Sequence, residues 1–333
     1  MILLDRLRPP APFDPTAPAY KDWLHVNLFD HRSGAVGLVN CSLHGAPSDP
    51  RARAVAAALV DVPGTGWTGN VIARGLDDAV LQPNGVALDV AALAVDHGAG
   101  TVDASAQLRD DALSLRLTAR AEAAATNVEQ RLPFGDGWIS WYVVPRLAVT
   151  GHLAVGDTRL DLAAASAYHD HNWGRWHWGD DIGWDWACFL APAPGPAVVV
   201  ARTTDRLRRR PGPAFVVVQV AGRRRTYRGA AVRLEHRGRH RGPLRRVPGA
   251  MAALRSDRAG PRLPAEVSVA VDDGRDRLRL TFAVRGAAQL VLADPVTGGH
   301  SFLHELSGRF RCDGRVAGID VDDRGLGVVE LLD

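Results

Sequence analysis

Lysine is almost missing from this chain: among 40 basic residues, Lys21 is the only one that is not arginine. Abundant Arg alongside abundant Ala, Gly and Val points to a compositional bias of the source genome, so arginine content alone is no functional signal. Cysteine is equally sparse. Cys41, Cys188 and Cys312 are scattered and form no CxxC pair, which excludes a disulfide framework and a zinc ribbon. No apolar run approaches the roughly 20 residues of a membrane helix. The opening Met-Ile-Leu-Leu-Asp-Arg is too short and charged too early for a secretory leader, so a cytoplasmic protein is expected. Helical patterning is scarce too. Only Arg51 to Val60, rich in Ala and Arg with no breaker, predicts a short helix.

What is present is a succession of short strand-like runs. The 333 residues are enough for two ordinary domains, and 46% of them are hydrophobic. Residues 1–20 are Pro-rich and predict an extended lead-in over a domain. Asp22 to Phe29 and Gly34 to Leu43 predict a first hairpin. Runs at Gly85–Val90, Gly100–Leu108, Leu113–Ala119 and Trp138–Val144 follow, and Pro145 should end the last of these or hold it at a sheet edge. Leu147 to Leu160 forms a hairpin turning at Gly156-Asp157. Ala197–Thr204, Ala214–Val220, Ala265–Val271 and the strictly alternating Arg277–Val284 continue the series. Short strands at regular spacing indicate an all-β protein of sandwiches or barrels. The expected division is a lead-in over 1–20, one antiparallel barrel over 21–178 and a second over 179–333. Arg206 to Arg258 is heavily basic, which fits a solvated exterior. Few aromatics are interleaved, so a nucleic-acid partner is not expected. A basic surface would also suit peripheral contact with a membrane holding a lipid-soluble substrate.

The densest stretch is Tyr168 to Trp186, with five of the nine Trp, three of the 12 His and four carboxylates in nineteen residues. Aromatics gain by burial, whereas Asp and His are costly to bury unless paired, so a pocket is indicated. Four readings compete. His169 and His171, two apart on a strand, share a side and could ligate a metal with His177 or Asp181, while Asp170 points the other way. The spacing is weak, and no metal is expected. Asp180-Asp-Ile-Gly-Trp-Asp185 matches a diphosphate-binding DDxxxD pattern, yet Gly179, Gly183 and the adjacent Trp residues argue against the helix it needs. A third reading is acid–base chemistry in a dry aromatic pocket. There Asp170, raised in pKa by burial, protonates an alkene, and the faces of Trp173, Trp176 and Trp178 stabilise the cation. The fourth is a purely structural Trp-rich plug for a barrel.

Trp141-Tyr-Val-Val-Pro-Arg-Leu-Ala-Val-Thr-Gly-His-Leu153, Gly156-Asp-Thr-Arg-Leu160, Tyr168-His-Asp-His-Asn-Trp-Gly174 and Trp184-Asp-Trp186 together resemble the carotenoid 1,2-hydratase (hydroxyneurosporene synthase) family. They also resemble the wider two-barrel, lipocalin-like group that includes AttH-like proteins and some fungal Diels–Alderases. The close match covers about residues 138–190, with a looser one at Gly325–Leu331. The resemblance implies two lipocalin-like antiparallel β-barrel domains side by side and a cavity for a hydrophobic small molecule, isoprenoid or polyketide-like. It implies water addition to a terminal C=C without a cofactor. A pericyclase or cyclase on the same scaffold, or a non-catalytic lipid carrier, are its alternatives. The family's His and Trp fall on His171 and Trp173. Its acid, in a Tyr-x-Asp element, has Thr203-Thr-Asp205 as its nearest counterpart, without the Tyr. The expected site therefore has Asp205 or Asp170 as proton donor and His169 and His171 as relay groups. Tyr168, Trp173, Trp176, Trp178, Trp184 and Trp186 are the expected substrate wall.

Overall fold

The computed structural model describes residues 5–11, 14–248, 262–294 and 296–333. The chain divides into two units, Met1–Asp180 with Leu292–His300, and Asp181–Val291 with Ser301–Asp333. Among the described residues there is no α-helix, only three short 3-10 turns, so the all-β expectation holds. No helix among them is long and apolar enough to cross a membrane.

In the first unit thirteen described strands form one sheet; Thr126–Phe134 and Thr158–Asp161 pair with Gly137–Val155 to the side, and the other eleven are ordered from Gly66–Gly75 through Arg53–Val62, Ala35–His44, Tyr20–Asp30 and Ser166–Arg175 to Gly137–Val155. The order continues through Leu113–Ala121, Thr101–Leu108, Ala91–Asp96 and Gly85–Leu88 to Ala79–Gln82. The sheet curls on itself, so Ala35–His44 and Ala91–Asp96 face each other across the core. Alternation builds that core: Leu113, Leu115, Leu117 and Ala119 point in, and the residues between them point out. The second unit repeats the plan with ten strands, in which Gly183–Leu190 lies between Ala197–Thr204 and Ile319–Leu332. Leu278, Leu280 and Phe282 enter its core, as the alternation of Arg277–Val284 requires. One pairing, Leu244–Val247 with Arg277–Ala293, is parallel in an otherwise antiparallel sheet.

Two local expectations are corrected. Arg51–Val60 is not helical; Arg53–Val62 is a strand between Ala35–His44 and Gly66–Gly75. Ala54, Ala56, Ala58 and Val60 enter the core with period two, and this burial overrides the helical preference of Ala. Pro145 neither ends its strand nor marks an edge. Gly137–Val155 runs through it as one 19-residue strand, with a register shift between Val144 and Leu147. That irregularity accommodates the missing N–H, and the strand changes neighbour there, from Thr126–Phe134 before it to Leu113–Ala121 after it. The lead-in belongs to the first unit. Leu7 donates its N–H to the Pro83 carbonyl at 2.8 Å and packs against the core; residues 1–4, 12 and 13 lie outside the described ones. The Arg-rich stretch is mostly exposed as expected, with 249–258 outside the described residues.

Two of the long strands, Gly137–Val155 and His300–Val316, each contain a glycine at positive φ that the sheet requires. Gly151 has φ +143°, and a Cβ there would lie 2.1 Å from the Arg116 carbonyl oxygen; Gly314 has the same φ and would meet the Arg277 oxygen at 2.1 Å. Both the backbone angle and the neighbour exclude a side chain. Gly151→Ala is expected to destabilise the protein by about 2 kcal/mol or more in urea unfolding, through strain and forced strand separation. A change within about 0.5 kcal/mol would refute that requirement.

Candidate functional site

The strand Ser166–Arg175 lies between Tyr20–Asp30 and Gly137–Val155, and all but its last residue are buried. Cross-strand partners share a face, so the register sorts its side chains. His171 stands opposite Leu24 and Tyr142, and His169 opposite Val26 and Val144, on the face of the barrel core. Asp170 stands opposite His25 and Val143, and Asn172 opposite Trp23 and Trp141, on the other face.

On the core face the two imidazoles are held by carboxylates that sequence reasoning missed. His169 donates from Nδ1 to the His25 carbonyl at 2.7 Å and meets Asp5 Oδ2 through Nε2 at 3.1 Å. Both its nitrogens face acceptors, so the ring holds both protons and forms an ion pair with Asp5. Burial alone would lower the His169 pKa, but the charge and hydrogen bond of Asp5 raise it instead. Burial would raise Asp5, and His169 outweighs that and lowers it. His171 donates from Nε2 to Asp22 Oδ1 at 2.7 Å, and Asp22 Oδ2 also accepts from the Tyr20 hydroxyl at 2.7 Å and the Arg8 amide at 2.6 Å. Tyr142, on the same face, is pushed up to about 12 by burial and then by Asp5. Trp173 lies beside His171, ring centres 4.8 Å apart, with the Arg8 guanidinium 4.5 Å from its own ring centre. The lead-in supplies Asp5 and Arg8, and nothing in its Pro-rich composition signals that role.

On the opposite face Asp170 is the hub. Its Oδ2 accepts from the Tyr168 hydroxyl at 2.8 Å and the Trp141 indole at 3.2 Å, and its Oδ1 accepts from the Asn172 amide at 2.7 Å. Burial raises its pKa against the pull of His25, Tyr168 and the others. His25 is lowered, again chiefly by burial. Its Nε2 donates to Asn27 Oδ1 at 3.0 Å, which leaves Nδ1 as the acceptor toward Asn40 at 3.4 Å. Burial thus pulls Asp170 toward its neutral acid form and His25 toward its neutral base form, in contrast to the ion pair behind them. His25 was missed as well, although an imidazole on an apolar strand is a legible signal.

The remaining expected residues do not gather around Asp170. Trp176 and Trp178 stack edge to face at 5.7 Å around Lys21, whose Nζ donates to the Trp176 carbonyl at 2.5 Å and lies 3.5 Å from Asp294. Burial lowers Lys21 to about 8, while Asp294 is held at about 2 by backbone amides and Lys21 against its own burial. Trp184 and Trp186 are in the second unit, where the Trp184 indole donates to Glu330 Oε1 at 2.5 Å. Asp205 is also in that unit. The amides of Arg209 and Arg210 and the Arg210 guanidinium hold it, at 2.6, 3.1 and 3.2 Å. Burial would raise its pKa, but these donors lower it, a poor setting for a proton donor. Asp181 is paired with Arg210 and the Arg206 amide, and His177 with Asp294. Among the described residues no three His, Cys, Asp or Glu side chains converge to hold a metal ion.

No family model matches the chain, and no curated protein matches it in sequence. Solved structures do. A putative AttH from Nitrosomonas europaea superposes with a TM-score of 0.67 at 15% identity over 98% of both chains. Kievitone hydratase from Nectria haematococca gives 0.63 at 14% identity, over 97% of this chain and 93% of the other. CghA, solved with Sch210972, gives 0.62 at 14% identity, over 95% and 89%. The chain has the two-unit, lipocalin-like fold of these proteins.

The Asp5–His169 pair defines a pH window. His169 holds its proton more tightly when folded, so its contribution is complete below the ordinary value of 6.5 and fades as pH rises past it. Asp5 is lowered, so its contribution is complete above 3.8 and fades as pH falls below that. Asp5→Asn should therefore destabilise most between about pH 4 and 6.5, and less as pH rises from 7 to 9 in urea titrations. A loss constant from pH 4 to 9 would contradict the ion pair.

Proposed function

We propose that this protein is a cofactor-independent acid–base enzyme that adds water across a C=C bond of a hydrophobic small molecule, with Asp170 as acid and His25 as base. The observation that carries this reading is the pairing of a buried carboxyl held above its ordinary pKa with a buried imidazole held below its own, cross-strand neighbours on one face. Adding H and OH to an alkene needs both groups uncharged at the start. Asp170 gives its proton to one alkene carbon, and the C=C electron pair forms the new C–H bond. The adjacent carbon becomes a cation, which the Trp141 ring stabilises by its negative face. Water attacks that carbon and loses a proton to His25 Nδ1, and the proton then returns to Asp170. Tyr168, Trp141 and Asn172 fix the carboxyl so that little reorganisation is needed.

The substrate class proposed is an acyclic isoprenoid, in keeping with the likeness of Tyr168–Gly174 to the carotenoid hydratases. The fold shared with kievitone hydratase supports a hydration; a cyclisation, in which the same cation is trapped by a second alkene, is the alternative. His169, His171 and Trp173 form a separate ionisable network on the core face, and Trp176 and Trp178 a cage for Lys21.

Asp170→Asn keeps the size of the side chain and the oxygen that accepts from Tyr168 and Trp141, and removes the transferable proton. Incubated with an acyclic isoprenoid alkene, it should form product about 10²–10⁴-fold more slowly than the parent, and His25→Gln should also be slowed. Mass spectrometry identifies the reaction. A product heavier by one water supports hydration, an isomer of equal mass marks a cyclase, and lipid returned unchanged by the parent protein marks a carrier. Full activity of Asp170→Asn would remove the acid assignment.

A further inference from the structure

The second unit holds a pair of carboxyls that the reading above does not use. Glu305 and Glu330 stand directly opposite each other on adjacent strands, and Trp186 stands opposite Glu330 on its other side. Ala187, Leu306 and Val329 at the alternating positions fill the core, so Glu305, Glu330 and Trp186 share the opposite face. Glu305 is 2% exposed and hydrogen-bonded to Glu330, whereas Glu330 and Trp184 are partly open to solvent. A buried carboxyl in contact with a second one resists losing its proton, so the pair keeps one. The Trp184 indole decides where it resides. By donating to Glu330 Oε1 at 2.5 Å it stabilises the charge on Glu330 and leaves the proton on Glu305. Glu305 Oε2 is buried and makes no hydrogen bond among the described residues. A buried carboxyl with one oxygen free of any described partner, beside indole faces able to stabilise a cation, can turn its proton toward a weakly basic apolar group.

We propose that Glu305, seated against Glu330 with Trp184 and Trp186 beside it, is a second proton-donating site, suited to a hydrophobic alkene or vinyl ether. Burial, and then the charge of Glu330, keep its carboxyl well above the ordinary 4.5. In the vinyl ether case the Glu305 proton goes to the terminal carbon, and the C=C pair becomes the C–H bond. The ether oxygen shares the positive charge, water adds to the adjacent carbon, and the proton it loses returns to the dyad. The hemiacetal then splits into an alcohol and an aldehyde. The proposal shares with the preceding one only the class of substrate.

Two measurements on the full chain test it. In infrared spectra at pH 7 the Asp170→Asn protein should show a protonated carboxyl C=O band that adding Glu305→Gln removes; a band unchanged by that second change overturns the proposal. The second uses dodecyl vinyl ether, followed by aldehyde release in the Asp170→Asn background. There Glu305→Gln should lower the rate ~10-fold or more. Glu330→Gln, which removes the neighbouring charge, should move the alkaline limb of the rate profile to lower pH. Release that survives Glu305→Gln at the parent rate, or an absence of release from the parent, overturns the second site. Release lost on Asp170→Asn alone also overturns it and leaves the Asp170 reading standing. Release unaffected by Asp170→Asn but lost with Glu305→Gln supports this site and leaves the Asp170 reading to its own test on an isoprenoid alkene.

Discussion

The structure of the first unit depends on how one strand, Ser166–Arg175, keeps ionisable groups out of water on both of its faces. Nine of its ten residues are buried, and four of those nine are His169, Asp170, His171 and Asn172. An unpaired charge or amide there would cost several kcal/mol, so each side chain must find a partner. The partners come from both neighbouring strands and from the lead-in: Asp22 and His25 from one strand, Trp141 from the other, Asp5 from the segment before them. Placing this strand between Tyr20–Asp30 and Gly137–Val155 is what brings residues so distant in sequence within hydrogen-bond reach.

Burial by itself always favours the neutral form, and the partners decide whether that preference wins. His169 has acceptors at both nitrogens, one of them the Asp5 carboxylate, and becomes charged in spite of its burial. Asp170 and His25, one residue away on the other face, have amide, phenol and indole partners and are driven apart in pKa. The same physics acts in the second unit, where burial and then the neighbouring Glu330 hold Glu305 well above its ordinary value. Lys21 shows the limit of burial: Asp294 and two indole faces only partly offset its desolvation. A strand of alternating ionisable residues can therefore favour the charged forms on one face and the neutral forms on the other.

The fold survives at 14–15% identity to solved structures because curled sheets ask only for alternating apolar residues and a few glycines where strands approach closely. Chemistry on such a scaffold depends on which polar residues occupy the few buried positions. In the readings proposed above, those positions are Asp170 and His25 in one unit and Glu305 in the other.

Much of this was legible in the chain itself. Strict alternation over Arg277–Val284 and Leu113–Ala119 determined strands and their wet and dry faces, because side chains on a strand alternate by geometry. The same rule sent His169 and His171 one way and Asp170 the other before any partner was known. Alternation could not show that Ala-rich Arg53–Val62 would be a strand, since there tertiary burial opposes local propensity. Nor could it show that a strand would continue through Pro145, which needs a change of neighbour at that point. The site residues that sequence reasoning missed, Asp5, Asp22, His25 and Glu305, are isolated acids and an imidazole with no motif around them. Only the register of the strands and the path of the lead-in gave them partners, and for a buried titratable group it is the partner that decides whether it is charged or neutral.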